Sequence, residues 1–92
     1  FCPLGPVIQT DFEKEPELNI KCFVNDELKQ DGNTRDMIFS IGEILEFITS
    51  IMTLLPGDVV LTGTPEGVSK VSQGDEIRIE IDTIGTLTNN IE

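Results

Sequence analysis

The residues best suited to chemistry are two threonines in the segment Thr62-Gly63-Thr64-Pro65. They end an apolar run at residues 59–63, which predicts a strand buried on both faces. Gly63 permits a close backbone approach, and Pro65 fixes the direction in which the chain leaves the strand. Two hydroxyls and an amide held on such a rigid strand end are suited to bind a carboxylate or an oxyanion. An ordinary turn between a strand and a loop explains the same spacing, and this alternative stays open.

Carboxylates offer a second possible site, because the chain has 17 Asp and Glu residues but only 6 Lys and Arg residues. Alternate residues of an extended strand lie on one face, which would group Glu76, Glu80 and Asp82. These acids alternate with isoleucines, so we expect them to face water. The acids of the polar stretch 11–17 are expected to lie in an exposed loop for a similar reason; they include Glu13, Glu15 and Glu17. We therefore assign no metal ligand to this chain.

Several common catalytic groups are missing from the sequence. The chain has no histidine, which removes the commonest general base near neutral pH and any Cys/His metal site. Cys2 and Cys22 are expected to be reduced thiols. The glycines at Gly63 and Gly67 lack the following Lys-Ser/Thr of a phosphate-binding loop.

The charge balance excludes some partners. A net charge of −11 argues against nucleic acid, which binds clustered Lys and Arg, and against an anionic membrane surface. The chain has no apolar run near the ~20 residues that span a bilayer and no signal-peptide pattern. We expect an acidic, solvated exterior and a cytoplasmic protein.

Hydrophobic periodicity predicts a β-hairpin in the first half of the chain. Residues 18–24 alternate apolar and polar side chains, and residues 27–31 are the predicted second strand of the hairpin. Between them, Asn25-Asp26 tolerates the positive φ of a tight turn. A short strand is also predicted at residues 7–10, and a turn cluster at residues 31–34.

A helix is predicted at about residues 41–54. Ser40 and Glu43 fit a capping box, apolar residues recur at helical spacing, and Pro56-Gly57 ends the pattern. Beyond the strand at residues 59–63, alternation predicts a hairpin of two strands at 76–82 and 86–90. The pattern is that of one α+β unit with no linker. Because the chain opens on Phe1 within a loop-like segment, we expect residues 1–92 to be the C-terminal fragment of a larger catalytic domain.

Four segments together resemble the C-terminal stretch of the fumarylacetoacetate hydrolase family. That family includes acylpyruvate hydrolases, oxaloacetate decarboxylases and the isomerase/decarboxylases of homoprotocatechuate breakdown, an aromatic catabolic route. The segments are Cys2-Pro3-Leu4-Gly5-Pro6; Val24-Asn25 with Gln30-Asp31-Gly32-Asn33-Thr34; Met37-Ile38-Phe39-Ser40; and Pro56-Gly57-Asp58-Val59-Val60-Leu61-Thr62-Gly63-Thr64-Pro65-Glu66-Gly67-Val68.

The resemblance implies a mixed β-roll, usually dimeric, and a divalent metal, Mg²⁺ or Mn²⁺, that chelates an α-keto or β-diketo acid. Such a metal stabilises an enolate while a C–C bond breaks or a proton moves. The resemblance places Thr64 at the substrate, with Gly63 and Thr62 as supporting neighbours. Hydrolysis, decarboxylation and isomerisation all stay open.

The resemblance also implies that the main catalytic groups precede this chain. The family's metal ligands are two glutamates of a Glu-x-Glu element and a later aspartate. These ligands, a His/Glu pair that activates water and a pocket lysine all lie upstream of the part that resembles residues 1–6. We therefore expect the isolated chain to be inactive. The alternatives are a truncated or split structural module that associates with a partner chain, and an acidic binding domain with an accidental likeness.

Overall fold

The computed structural model describes residues 2–12 and 14–92. Its elements are β1 (Asn19–Val24), β2 (Glu27–Asn33), a 3₁₀ turn (Thr34–Asp36), α1 (Ile41–Thr49), β3 (Glu76–Ile81) and β4 (Gly85–Asn90). The four strands form one sheet in the order β2-β1-β3-β4, and its three pairings are antiparallel. The predicted α+β class is confirmed.

The first hairpin is confirmed, and its turn is the predicted one. Asn25 and Asp26 have φ values of 51° and 65°, as a two-residue turn that matches the strand twist requires. The predicted turn cluster at residues 31–34 is wrong in its bounds, because Gly32 and Asn33 still pair with β1. The chain turns only from Thr34, in the 3₁₀ turn Thr34–Asp36, and the Thr34 hydroxyl donates to the Pro16 carbonyl at 3.0 Å.

The sheet has one apolar and one polar face. The apolar face carries a row of paired residues, one from each strand: Gln30 on β2, Cys22 on β1, Ile79 on β3 and Leu87 on β4. On the polar face the Arg78 guanidinium lies 4.3 Å from the centre of the Phe23 ring. The predicted alternation of β3, with isoleucines on one face and charges on the other, is confirmed.

A one-residue bulge interrupts the pairing of β1 with β2. Cys22 stands opposite Gln30 and Phe23 opposite Leu28, so Lys29 is the extra residue. Leu28 therefore shares the face of Phe23, whereas Gln30 shares the face of Cys22. Because the bulge accommodates Lys29 as an extra residue, Gln30 lies opposite Cys22 on the apolar face of the sheet.

The predicted helix is present and begins where the capping box places it. Ser40 Oγ accepts from the Glu43 amide at 3.1 Å, and the Glu43 carboxylate accepts from the Ser40 amide at 3.2 Å. The helix ends at Thr49, five residues before the predicted end. The hydroxyls of Thr49 and Ser50 donate to carbonyls one turn back at 2.8 and 2.6 Å, a competition with the helix ladder that favours its end. No helix in the described part of the chain has the length and apolar character to cross a membrane.

Two predicted strands, at residues 7–10 and 59–63, are wrong for this chain. Both stretches are irregular, and Ile8 and Leu61 are 82% and 80% exposed. An apolar run becomes a strand only when a neighbour pairs with its backbone. No described residue does so for either stretch, so the predicted burial of residues 59–63 on both faces is also wrong.

The apolar surfaces of this chain are largely uncovered. None of the described residues is fully buried, and Ile38 is 91% exposed. The accessible surface is 7495 Å². A compact monomer of 10.2 kDa would expose only about 5,300 Å². The sheet and helix thus keep their shape through hydrogen bonds and half-buried contacts, without a closed core.

Candidate functional site

The loop of the two threonines lies against β2 and is tied to it by one side chain. Gln30, on the apolar face of the sheet, donates from Nε2 to Thr64 Oγ1 at 2.8 Å and to the Pro65 carbonyl at 2.6 Å. These two hydrogen bonds join residues that are 34 and 35 positions apart. Thr64 therefore has a fixed neighbour on the sheet, as a ligand-binding hydroxyl needs.

Two glycines allow the loop to approach β2 closely. A side chain at Gly67, where φ is 104°, would overlap the carbonyl oxygen of Lys29. A Cβ on Gly32 would lie 3.0 Å from the ring carbons of Pro65. The close approach therefore occurs at Gly67 and Gly32. Gly63 has a φ of 96° and nothing within 4 Å of its missing Cβ, so no described residue approaches it closely, and the close approach expected at Gly63 stays a prediction.

Of the predicted substrate-binding residues, only Thr64 is joined to the sheet by its side chain. Thr64 is exposed, and among the described residues its hydroxyl finds a donor, Gln30, but no acceptor. Thr62 is exposed next to it and makes no side-chain hydrogen bond to the described part of the chain. The structure therefore adds Gln30 to the three predicted residues. Sequence reasoning missed Gln30 because no residue pattern signals the bulge at Lys29.

An open groove of about 450 Å³ lies beside this loop, lined by Leu28, Lys29, Asp31, Glu66 and Gly67. Its one cation, Lys29, is already paired with Glu27 at 3.1 Å. Another depression of about 430 Å³ lies where β3 turns into β4 and contains none of the predicted site residues. The groove beside Gly67 therefore borders the end of the loop at Glu66 and Gly67, and neither Thr64 nor Gln30 lines it.

Three of the carboxylates considered from the sequence have structural partners. Glu80 lies 3.3 Å from Arg78 Nε, Asp82 accepts from the Asn19 amide at 3.1 Å, and Glu15 accepts from the amide of Ile41. The Asp26 carboxylate accepts a hydrogen bond from Arg78 and raises the pKa of that guanidinium. Glu13 lies outside the described residues.

The described residues do not fit a metal ion on their own. Across residues 2–12 and 14–92, no group of three or more Asp, Glu, His or Cys side chains could hold one. We therefore derive no step through a metal bound by this chain. The chemistry that this chain supplies is a positioned hydroxyl, with an amide behind it.

Comparison with known proteins settles which family this arrangement comes from. A family profile described as the C-terminal part of fumarylacetoacetate (FAA) hydrolase matches residues 1–92. The chain belongs to the fumarylacetoacetate hydrolase family. The resemblance seen in the four sequence segments is confirmed.

Similar proteins include enzymes of this family. An uncharacterized protein of Methanocaldococcus jannaschii is 50% identical over the whole chain, which spans 38% of that protein. The 4-hydroxyphenylacetate degradation bifunctional isomerase/decarboxylase of Salmonella dublin is 44% identical over 97% of the chain and 21% of the enzyme. The structure of maleylpyruvate hydrolase from Sphingobium sp. SYK-6, in complex with manganese(II) and pyruvate, matches with a TM-score of 0.92 at 44% identity.

The structural match covers 99% of this chain and 35% of the hydrolase chain. The fold of residues 1–92 is thus that of the C-terminal part of fumarylacetoacetate hydrolase-like proteins. The chain spans between about a fifth and two fifths of the length of these relatives. The names of these relatives include a hydrolase and a bifunctional isomerase/decarboxylase.

Proposed function

We propose that the protein containing this chain is a metal-dependent enzyme of small α-keto or β-diketo acids, and that residues 1–92 form one wall of its pocket. The reaction is C–C bond cleavage or keto–enol isomerisation through a metal-stabilised enolate. We also propose that the enzyme is a cytoplasmic homodimer that acts in the breakdown of aromatic compounds. Family membership supports the reaction class. The name of the Sphingobium maleylpyruvate hydrolase supports C–C bond cleavage, and the name of the Salmonella isomerase/decarboxylase supports isomerisation.

One observation carries the role of this chain: the exposed Thr64 hydroxyl accepts a hydrogen bond from Gln30, and no described residue accepts the proton of that hydroxyl. A hydroxyl whose proton has no other acceptor can donate it in a hydrogen bond and so stabilise negative charge on a carboxylate or a keto oxygen. Because it is already positioned, it needs no reorganisation when charge develops. Thr62 and Gly63 continue the same wall as supporting neighbours.

The metal in this proposal, Mg²⁺ or Mn²⁺, is held by residues outside this chain. When bound, it polarises the substrate carbonyl as a Lewis acid. The manganese(II) and pyruvate in the Sphingobium maleylpyruvate hydrolase support both a divalent ion and a keto-acid ligand. An isolated chain of residues 1–92 would then be inactive, because the metal ligands and the His/Glu pair that the family resemblance implies lie outside it.

Replacing Thr64 by valine in the full-length protein tests the role of this chain. Valine keeps the shape of the side chain but removes the hydroxyl. We expect kcat/KM to fall ten- to a hundredfold, since a hydrogen bond to a charged group is worth about 1.5–3 kcal/mol. Turnover of acylpyruvates and oxaloacetate with Mn²⁺ is the measurement, and pyruvate serves as a ligand for direct binding.

The matched control is Thr88→Val, which removes an exposed hydroxyl from β4 on the polar face of the sheet. We expect this control to retain the kcat/KM of the unmodified protein. An unchanged kcat/KM in Thr64→Val would remove Thr64 from the pocket. Turnover that persists after complete removal of divalent ions would refute the metal dependence.

A second candidate function is a non-catalytic structural module that completes a partner chain. One observation favours it: the accessible surface of 7495 Å² leaves roughly 2,000 Å² more exposed than a compact monomer of this mass would, an area comparable to a stable interface. The full-length protein distinguishes the two candidates. Turnover by a single purified polypeptide supports the enzyme, whereas turnover only after a second chain is added supports the module.

A further inference from the structure

Gln30 is a polar residue in an otherwise apolar row of the sheet. It is half-buried at the end of a row that contains Cys22, Ile79 and Leu87. An amide in such a place is costly unless its hydrogen bonds are made. The Gln30 amide nitrogen makes two hydrogen bonds to the loop at residues 62–67, with Thr64 Oγ1 and the Pro65 carbonyl.

The Pro65 carbonyl fixes which way the Gln30 amide is turned. A backbone carbonyl only accepts hydrogen bonds, so the side-chain atom 2.6 Å from it must be the nitrogen. That same nitrogen lies 2.8 Å from Thr64 Oγ1. Gln30 therefore donates to Thr64, and Thr64 cannot donate to Gln30.

This direction determines what Thr64 can do for a ligand. A threonine hydroxyl has one proton, and Gln30 occupies one of its acceptor positions. The proton remains for an acceptor, and no residue in the described part of the chain takes it. An exposed hydroxyl in this state is prepared to donate to a ligand oxygen.

We propose that Gln30 is a positioning residue that orients the Thr64 hydroxyl as a donor toward a substrate carboxylate or keto oxygen. This inference rests on the proposed function, in which Thr64 lies at the substrate. Gln30 itself does not touch the substrate. It acts by fixing the direction of one hydrogen bond, so the pocket wall selects ligands that accept a proton at this point.

Two substitutions change the direction without a large change in shape. Gln30→Glu replaces the donating nitrogen by a carboxylate oxygen, which accepts from Thr64 and turns its proton away from the ligand. Gln30→Met removes the donor and adds no charge. Gln73→Glu places the same added charge on an exposed turn that lies before β3, and it is the matched control.

The measurement is the dissociation constant of pyruvate in the full-length protein loaded with Mn²⁺, together with Tm for each variant. We expect Gln30→Glu to weaken pyruvate binding roughly tenfold or more, Gln30→Met to weaken it less, and Gln73→Glu to leave it unchanged. If Gln30→Glu does not fold, Gln30→Met provides the comparison. Pyruvate affinity that is unaffected by both Gln30 variants overturns the inference.

A double-mutant cycle with Thr64→Val separates orientation of the hydroxyl from a general effect on the loop. If Gln30 acts through the Thr64 hydroxyl, the Gln30 substitutions cost little further affinity once that hydroxyl is gone. In the Thr64→Ser background, which restores a hydroxyl, they again weaken binding. Losses that simply add to the Thr64→Val loss indicate a displaced loop or a charge effect and overturn the inference.

The outcome for the proposed function is distinct. If the unmodified protein does not bind pyruvate, or if Thr64→Val costs nothing, the proposed function fails and this inference fails with it. If Thr64→Val weakens binding but the Gln30 losses are additive or absent, only the inference about Gln30 fails.

Discussion

At the scale of single residues, the loop at residues 62–67 depends on the absence of a side chain as much as on hydrogen bonds. Gly67 has a φ of 104° and faces the Lys29 carbonyl so closely that a Cβ would overlap it. The obstacle is backbone, which cannot rotate away as a flexible side chain would. Any residue other than glycine therefore has to move the loop off β2, together with Thr64.

We expect Gly67→Ala to lower both Tm and pyruvate affinity in the full-length protein. Gly57→Ala is the matched control, because Gly57 has a similar φ of 93° but nothing within 4 Å of its missing Cβ. Both variants carry a backbone strain of about 1–2 kcal/mol, and only Gly67→Ala also displaces the loop. Thermal denaturation and pyruvate titration check this. Equal losses of affinity in the two variants would contradict it.

The role proposed for Thr64 rests on the order of motifs around it, since its own spacing also suits an ordinary turn. Gln30 could not be predicted, because its face depends on the bulge at Lys29 and its partner lies 34 residues away. Local patterns reveal the residues that border a site more readily than those that orient them.

At the scale of elements, the turn of the first hairpin and the start of β3 form one hydrogen-bonded corner. The Asn25 amide group donates from Nδ2 to Asp75 at 2.8 Å, and its Oδ1 accepts from the Glu76 amide at 2.9 Å. Asp75 also accepts from the Ser72 amide at 2.8 Å. The hydrogen bond from Ser72, and then that from Asn25, lowers the pKa of the Asp75 carboxyl.

This corner predicts a direction for stability against pH. Since the folded pKa of Asp75 lies below its unfolded value, its contribution is present above the unfolded pKa and is lost as pH falls through the folded pKa. We expect Asp75→Asn to lower Tm at neutral pH and to make Tm less sensitive to acid. Thermal melts of the full-length protein between pH 7 and pH 3 test this, with Asp11→Asn as a control of equal charge. Parallel acid profiles for Asp75→Asn and the unmodified protein would contradict it.

Elements set by neighbouring residues were predictable, and those that need distant partners were not. The hairpin turn at Asn25-Asp26 and the helix start at Ser40 depend on local chemistry, and both are confirmed. The strands predicted at residues 7–10 and 59–63 need a neighbouring strand that the described residues do not supply. The helix end at Thr49 was missed because an apolar stripe continued past it without a surface to pack on.

At the scale of the whole molecule, the exposed apolar area is the dominant feature. Sixteen large hydrophobic side chains are exposed among the described residues; they lie before β1, on β2, on the helix, and in the segments between β2 and β3. Extensive exposed apolar surface marks an interface or a liability for aggregation. We propose that the remainder of the parent protein covers it, as the C-terminal position of the matching family part suggests.

Residues 1–92 produced alone should therefore self-associate and bind a hydrophobic dye such as ANS. The full-length protein should show neither behaviour beyond the expected dimer, because its apolar faces are covered. Size-exclusion chromatography with light scattering and ANS fluorescence are the measurements. A monomeric, ANS-negative chain of residues 1–92 would contradict the proposal that these faces are built to be covered.

The bulge at Lys29 has a consequence for how this hairpin tolerates insertions and deletions. Removing Lys29 would restore regular pairing from the turn and still leave Gln30 opposite Cys22. The tip of the hairpin can thus change in length by one residue without reversing the face of Gln30. Deleting Lys29 is therefore expected to keep Gln30 on the face of Cys22, whereas a one-residue change between Gln30 and the far end of β2 would shift the pairing there.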